Sequence, residues 1–162
     1  SANPVEPTYF NGAAAVARGI EAGLRSSLGP RFEADVSYTY LFAEATEDAA
    51  MPSATFAAGE PLIRRPSHSA ELGVTGRPWD RLTLGGSVTL VGSREDVDFN
   101  QFPSVRVRLP AYALLGLAGE VQVVRNLSAV GRVENLLDEQ YDEVVGFPGR
   151  PRAFFGGARF HF

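Results

Sequence analysis

Apolar and polar residues alternate without a break from Phe32 to Tyr40, and this alternation restricts the fold more than any other feature of the chain. Phe, Ala, Val and Tyr occupy the even positions, whereas Glu, Asp, Ser and Thr occupy the odd ones. Successive side chains of a strand point to opposite faces, so a strand collects the apolar residues on one side. A helix would scatter them around its circumference. The segment is therefore predicted to be a strand that separates two different media.

Six further segments show the same period less strictly. The seven predicted strands are 16–28, 32–42, 67–76, 81–92, 112–123, 127–134 and 153–162. In the last strand one face carries Phe154, Gly156, Ala158, Phe160 and Phe162. Residues 1–15 have no clear period and are predicted to be a loop or part of a preceding segment. Residues 16–162 are predicted to form one β-structure.

The predicted connections alternate between short and long. The short ones are 29–31, 77–80 and 124–126, and the long ones are 43–66, 93–110 and 135–151. Transmembrane barrels have short turns at one interface and longer loops at the other, and their strands need about 9–11 residues to cross the bilayer. The pattern predicts an all-β fold, an antiparallel meander of about seven transmembrane strands.

Charged and aromatic residues agree with this prediction. The charges on the predicted strands lie on the polar face at Glu21, Arg25, Glu33, Asp35, Glu71, Glu120, Arg132, Glu134 and Arg159. Arg18 is the exception, near a strand end where its side chain can extend into the interface. Aromatic residues flank both sets of connections, Tyr112 and Tyr141 by the long loops and Phe32, Trp79 and Phe162 by the short turns. Membrane barrels carry such a girdle at each interface.

Composition excludes several classes. A net charge of −4 without a basic stripe argues against a nucleic-acid partner, and the absence of Cys excludes disulfides and thiolate metal sites. No apolar run approaches the ~20 residues of a membrane-spanning helix. The sequence begins Ser-Ala-Asn-Pro, without Met or an apolar leader. We therefore expect either a processed chain or a piece of a longer one.

Candidate chemical groups are few, and no catalytic, cofactor-binding or metal-binding residues are predicted. Three acidic clusters could bind Ca²⁺ but lack the spacing of a known calcium loop, so solvated loop charge is favoured: Glu44/Glu47/Asp48, Glu95/Asp96/Asp98 and Asp138/Glu139/Asp142/Glu143. His68 and His161 stand alone. Four loop arginines could meet an anionic chelate or lipopolysaccharide: Arg64, Arg65, Arg106 and Arg108. No Ser–His–Asp set or phosphate-binding glycine loop is present, so the chain is not predicted to be an enzyme.

The segment 133–162 carries the most specific motifs. These are Asn135-Leu136-Leu137-Asp138, Tyr141, Pro148-Gly149-Arg150 and a closing aromatic strand ending at Phe162. They resemble the C-terminal end of TonB-dependent outer-membrane receptors, with Leu137 where that family usually has Phe. Leu109–Tyr112 and Ala17–Glu21 are similar to two other strand entries of the family.

This resemblance implies a ligand-gated importer of a scarce nutrient in the Gram-negative outer membrane, such as a metal–siderophore chelate, cobalamin, haem or a glycan. The family's barrel has about 22 strands and a plugged lumen, so seven strands would be its last third. The implied partners are outer-membrane lipid and lipopolysaccharide, and the inner-membrane TonB complex through a plug that has no counterpart here. Phe154, Phe160 and Phe162 resemble the strand signature that the barrel-assembly machinery reads.

A soluble ligand-binding β-barrel or sandwich is the alternative prediction. In that fold the apolar faces would point inward against a common core. The two folds also differ in the surroundings of the edge strands of the sheet. Seven strands leave two unpaired edges, whose backbone groups would be unsatisfied in lipid. The membrane prediction therefore implies that the isolated chain does not close into a monomeric barrel.

Overall fold

The computed structural model describes residues 14–48 and 54–160, and this part of the chain contains eleven β-strands. They are β1 (Ala15–Ser27), β2 (Phe32–Ala45), β3 (His68–Trp79), β4 (Leu82–Val91), β5 (Arg94–Asp98), β6 (Val105–Leu109), β7 (Tyr112–Val124), β8 (Leu127–Glu134), β9 (Asp142–Val144), β10 (Phe147–Pro148) and β11 (Ala153–Phe160). Within these two ranges no helix is both long and apolar enough to cross a membrane. His161 and Phe162 lie outside the described residues.

Seven of the strands form one antiparallel sheet in the order β1-β2-β3-β4-β7-β8-β11. Each strand of this sheet pairs with the strand of the same sheet that follows it in the sequence, so that β4 pairs with β7. This order confirms the predicted all-β meander. The other four strands form two small hairpins, β5–β6 and β9–β10. Both hairpins lie within connections that were predicted to be long and polar. β1 and β11 are the two edges of the sheet within the described residues.

The connections alternate in length as predicted. Short turns at 28–31, 80–81 and 125–126 lie at one end of the sheet, which is here called the turn end. Long connections lie at the other, the loop end, and their described residues are 46–48 with 54–67, 92–111 and 135–152. Gly29 has φ 81° in the first short turn, a backbone conformation that glycine adopts without steric cost.

The prediction of a turn over 77–80 is partly wrong, because β3 continues to Trp79. Its pairing with β4 shifts register between Gly76 and Trp79, as at a β-bulge, and this irregularity accommodates Pro78. Arg31 holds the extension in place. Its carbonyl accepts the Arg77 N–H at 2.8 Å, and its guanidinium donates to the Pro78 carbonyl at 2.7 Å. Local turn propensity at Pro78 is thus outweighed by bonds from the neighbouring turn.

Strand register places the apolar residues of all seven strands on one face. A row of laterally paired residues runs across six strands through Ala34, Val74, Gly86, Leu117, Val133 and Phe154. The parallel row towards the loop end contains Leu24, Val36, Leu72, Val88 and Leu115. The charged strand residues named above lie on the opposite face. Arg18 lies on the apolar face opposite Phe42, with its guanidinium carbon 5.4 Å from the ring centre.

Large residues of the apolar face are exposed in the described structure. Ile20 and Leu24 are 67% and 68% exposed, and Phe154 is 73% exposed. Exposed apolar patches larger than a few hundred Å² mark contact with a membrane or a partner rather than with water. A soluble sandwich would cover this face with a second sheet, whereas the described chain has a single large sheet.

The buried side chains of the described residues lie almost entirely at the loop end. They are Ala45, Arg94, Asp96, Val97, Leu109, Ser128 and Asn135, and of these Ser128 alone belongs to the turn end. Four of the seven are polar or charged. The connections therefore form a small packed unit with polar bonds at its centre, and the sheet has no core of its own.

Candidate functional site

The described parts of the long connections, 54–67, 92–111 and 135–152, are here called the loop cap. The hairpin β5–β6 lies between the other two connections and contributes the buried Arg94, Asp96, Val97 and Leu109. Its second strand reads Val-Arg-Val-Arg-Leu over Val105–Leu109, an alternation typical of a strand. That alternation was the signal for this hairpin, and the polar composition of 93–110 obscured it.

Asp96 in β5 is fully buried, and three donors converge on its carboxylate. Its Oδ1 atom accepts hydrogen bonds from Arg64 Nε and the Val97 backbone N–H, each at 2.8 Å. Its Oδ2 atom accepts the Val145 backbone N–H at 2.9 Å. A buried charge is tolerated when it is paired and hydrogen-bonded. Asp96 meets this condition, because Arg64 pairs with it and all three donors bond to it. These bonds join all three connections of the loop cap.

The ionisation of Asp96 follows from the same contacts. Burial alone would raise the pKa of the carboxyl group, because desolvation penalises the charged form. The backbone hydrogen bonds from Val145 and Val97 and the guanidinium of Arg64 oppose this effect and hold the pKa below the ordinary value of 3.8. The carboxylate is therefore charged at neutral pH.

Arg94 is the second buried charge of the loop cap, with 6% of its surface exposed. Its Nη2 atom donates to the backbone carbonyls of Asp142 and Glu143. Its guanidinium carbon lies 5.4 Å from the centre of the Tyr112 ring, a cation–π contact. Arg94 therefore joins the hairpin to the connection 135–152 a second time, beside the Asp96 bond.

Three of the four arginines predicted to meet an anion make contacts inside the loop cap. One of them is Arg64, which is bound to Asp96. Arg106 donates to the Ala54 carbonyl at 3.0 Å, and Arg108 donates to Ser93 Oγ at 2.7 Å. Arg65 is exposed. Three of these arginines thus hold the connections together.

The motif residue Asn135 organises the connection that follows β8. It is 6% exposed and has φ 49°, in the left-handed region that asparagine tolerates better than most residues. Its side-chain amide donates to the carbonyls of Glu139 at 2.9 Å and Arg150 at 3.1 Å, and its Oδ1 accepts the Glu139 N–H at 2.9 Å. One side chain therefore joins the beginning of the connection to its end.

Two other motif residues secure the same turn. The Leu136 N–H donates to the Leu115 carbonyl at 2.8 Å, which anchors the turn to β7. Asp138 has φ 57°, and its Oδ1 accepts the Arg152 N–H at 2.9 Å. The connection thus leaves β8 and enters β11 through adjacent hydrogen-bonded positions.

Tyr141 covers Gly149, and this contact explains the glycine of the Pro-Gly-Arg motif. A Cβ atom at Gly149 would lie 2.1 Å from Tyr141 Cζ, so any larger residue would displace the ring. The Gly149 N–H also donates to the Tyr141 carbonyl at 2.7 Å. Tyr141 stacks on Tyr112 with ring centres 4.2 Å apart. The two tyrosines predicted to flank the long loops therefore form one aromatic pair.

The remaining motif residues face outward or towards the polar face. Leu137 is 69% exposed, and Pro148 lies in the short strand β10. Arg150 forms an ion pair with Glu134 at 3.0 Å on the polar face. The structure therefore brings Asn135, Asp138, Tyr141, Gly149 and Arg150 together, and it leaves Leu137 and Pro148 at the surface.

The polar face of the sheet carries a shallow depression of about 500 Å³. Small residues form its floor, including Gly85, Ala118 and Gly157. Charged and aromatic groups border it: Glu120 pairs with Arg159, and the Arg132 guanidinium lies 4.3 Å from the centre of the Phe155 ring. This surface can hold a polar partner by hydrogen bonds and charge.

The predicted assembly residues lie on the apolar face of β11. Phe154 pairs laterally with Val133 and Phe160 with Leu127, and they are 73% and 61% exposed. Phe162 of the same predicted set lies outside the described residues. The two described phenylalanines are thus available to a neighbour on that face.

Asp48 and Asp98 of the acidic clusters and His68 each have individual structural contacts. Asp48 accepts the Ala58 N–H at 2.8 Å, and Asp98 accepts hydrogen bonds within its own turn. His68 Nδ1 lies 2.7 Å from the Tyr38 hydroxyl. In residues 14–48 and 54–160, no group of three or more His, Asp or Glu side chains is arranged to hold a metal ion.

Comparisons with known proteins agree with this geometry. A family model described as TonB-dependent receptor-like β-barrel matches residues 1–136. The vitamin B12 transporter BtuB of Vibrio cholerae is 32% identical over 72 residues, which cover 44% of this chain and 12% of that protein. The chain therefore spans about an eighth of this relative's length.

Solved receptor structures share the fold at lower identity. The pyoverdine outer-membrane receptor FpvA of Pseudomonas aeruginosa superimposes with a TM-score of 0.79 at 23% identity, over 99% of this chain and 23% of that one. The siderophore receptor PiuA of Acinetobacter baumannii gives a TM-score of 0.75 at 19% identity, over 90% of this chain and 22% of that one.

Proposed function

Because the chain belongs to the TonB-dependent receptor β-barrel family, we propose that it forms one section of the wall of an outer-membrane nutrient importer. The observation that carries the proposal is the register of the sheet. It places apolar residues of seven strands on one exposed face and most of the strand charges on the other. In a membrane barrel the first face meets lipid and the second faces the lumen.

The lengths of the connections give the orientation of this section. Outer-membrane barrels have short periplasmic turns and long extracellular loops. The turn end would therefore face the periplasm of a Gram-negative cell, and the loop cap would face outside, next to lipopolysaccharide. Arg18 lies near the loop end of β1, where a long cationic side chain can reach the interface.

The cargo class follows from the relatives rather than from a site in this chain. The matched transporter is named for vitamin B12, and the matched receptors are named for pyoverdine and for siderophores. We propose a scarce nutrient of the siderophore-metal, cobalamin, haem or glycan class. Energy would come from the inner-membrane TonB complex, which would act through a plug region outside this sequence. We propose no catalytic role.

We also propose that the last strand carries the signal for the barrel-assembly machinery at Phe154, Phe160 and Phe162. The exposure of Phe154 and Phe160 on the apolar face supports this role. In the complete receptor chain, Phe160→Ala and a deletion of Phe162 should each lower the amount of assembled barrel in the outer membrane. Phe155→Ala, on the polar face of the same strand, is the matched control. Equal defects in all three variants would contradict a role for the apolar face.

The import proposal is tested in a strain that lacks the gene for the complete receptor. Growth on each nutrient class as the sole source would be compared with and without the restored gene, in the presence and absence of a functional TonB protein. We expect restored growth on one class, dependent on TonB. Outer-membrane fractionation of the same cells tests the location separately. A protein found in the soluble fraction would instead favour a soluble ligand-binding barrel.

A further inference from the structure

The three connections of the loop cap meet at a single charged side chain. Asp96 is fully buried and accepts hydrogen bonds from Arg64 of 54–67, from Val97 of its own hairpin and from Val145 of 135–152. We propose that Asp96 is a joint that couples 54–67 to 135–152, so that local opening of one connection loosens the other. This inference concerns the loop cap itself and does not depend on import.

The connection 54–67 reaches the joint through Arg64. This residue has φ 59°, a left-handed conformation that is uncommon for a residue other than glycine and is kept when surrounding bonds fix it. Those bonds are the Arg64 N–H to the Glu95 carbonyl at 2.7 Å and Arg64 Nε to Asp96 at 2.8 Å. Because the Arg64 side chain is 42% exposed, this arm of the joint is accessible from solvent.

The connection 135–152 reaches the joint through a backbone group. The Val145 N–H lies next to Gly146, whose φ of 78° reverses the chain between β9 and β10. The neighbouring carbonyls of Asp142 and Glu143 are held by Arg94, which is two residues from Asp96 on β5. The hairpin β9–β10 is therefore bound to β5 by two adjacent charged side chains.

The hairpin β5–β6 makes no backbone ladder with the main sheet within the described residues. In the part of the chain that the structure describes, β5 and β6 pair with each other in a sheet of their own. The other connections of the loop cap contribute to the burial of this hairpin. Opening of 54–67 is thus passed through Arg64 and Asp96 to 135–152.

Asp96→Asn in the complete receptor chain, reconstituted in lipid vesicles, tests the joint by amide hydrogen exchange. The substitution keeps the shape and removes the charge and one acceptor. We expect exchange to accelerate by roughly tenfold or more in 60–64, 94–98 and 142–146 together, with β2, β3 and β7 unchanged. Asp98→Asn is the matched control, because Asp98 lies on the same strand and bonds locally to Asn100 and Gln101. Acceleration confined to 94–98, or none, would overturn the proposal.

Arg64→Gln keeps the test decisive if Asp96→Asn is poorly assembled. It removes one arm and leaves the Val145 bond in place. We expect faster exchange in 60–64, and a smaller increase in 142–146 because the carboxylate loses its counter-charge. In a double-mutant cycle the effects of Arg64→Gln and Asp96→Asn on 142–146 should be non-additive. Strictly additive effects would show that the two connections are not coupled through this pair.

Discussion

The seven-stranded sheet and the loop cap are held together by opposite means. The sheet is continuous in backbone hydrogen bonds, and its apolar face, with Leu24 68% exposed, is open to its surroundings. The loop cap is irregular, yet it contains five of the seven buried side chains of the described residues, and a sixth, Ala45, lies at the strand end beside it. At its centre are two charges, Asp96 and Arg94. The apolar face of the sheet thus needs an apolar environment around it, whereas the loop cap has buried contacts of its own.

This difference shows that the sheet and the loop cap are stabilised by different interactions. A surface that faces lipid needs apolar side chains but no close packing partner within the chain, because lipid supplies the contact. Loops in water cannot bury enough apolar surface to order a connection of this length, so hydrogen bonds to buried charges must contribute. Substitutions in the sheet should therefore change its contact with the surrounding medium, and substitutions in the loop cap should remove specific hydrogen bonds.

The largest expected effect follows from the open edges of the sheet. The chain on its own should not form a closed monomeric barrel, because unpaired backbone groups of β1 and β11 in lipid would cost several kcal/mol each. Heat-modifiable migration and protease resistance in detergent would be compared with those of the complete receptor chain. A heat-modifiable, protease-resistant monomer of the short chain would show that the sheet completes itself.

A charge on either face of the sheet tests its dependence on the medium. Val88→Arg places a guanidinium on the apolar face near the middle of β4 and should destabilise the barrel by about 2–4 kcal/mol. Thr89→Arg, the next residue on the opposite face, lies across from Glu71 and should have little effect. Denaturant unfolding of the complete receptor chain in lipid vesicles measures both variants. Equal losses would mean that the two faces meet similar surroundings.

Two substitutions of Asn135 separate bonding from backbone conformation in the loop cap. Asn135→Ala removes three hydrogen bonds and places alanine at φ 49°, and it should cost about 1–3 kcal/mol for the bonds with about 1–2 kcal/mol more for the conformation. Asn135→Gly loses the same bonds without the conformational cost. Local hydrogen exchange at Leu136 and Glu139 gives both values. Identical losses would exclude a contribution from the left-handed backbone.

The smallest expected effect is a pH dependence confined to the loop cap. The pKa of Asp96 is lowered in the folded chain, so its stabilisation is complete above the ordinary value of 3.8 and is lost as the pH falls through the lower folded value. Exchange protection of 94–98, corrected for intrinsic rates, should therefore stay constant from neutral pH to about 5 and fall below 3.8. The same profile in Asp96→Asn should lack this fall. A loss of protection between pH 5 and 7 would contradict the lowered pKa.

The sheet could be predicted from the sequence because its period is local. The even positions of 32–40 and the matching positions of 70–74 each report their own face, and the register then joins them in rows. The ends of strands were less accurate. β3 runs through Pro78 to Trp79 because Arg31, on another turn, supplies its hydrogen bonds. Such help from a distant residue leaves no mark in the local pattern.

The loop cap was predicted only in outline. The motif residues Asn135, Asp138 and Tyr141 were recognised, but the bonds that explain them were not. Asp96 was grouped with Glu95 and Asp98 as solvated charge, and the structure buries Asp96 completely. Charge runs on connections usually face water, and composition cannot distinguish the one carboxylate that turns inward.

The sequence by itself determined the strands of the large sheet, their faces, the alternation of short and long connections and the family, since each of these depends on residues close together along the chain. Tertiary structure alone decided which charges are buried and which connections meet. Arg64, Asp96 and Val145 are separated by 32 and 49 residues along the chain, and their contact depends on how the sheet brings the loop ends together. Their hydrogen bonds are strengthened because the Asp96 carboxylate is shielded from water, and that shielding exists only after the chain has folded.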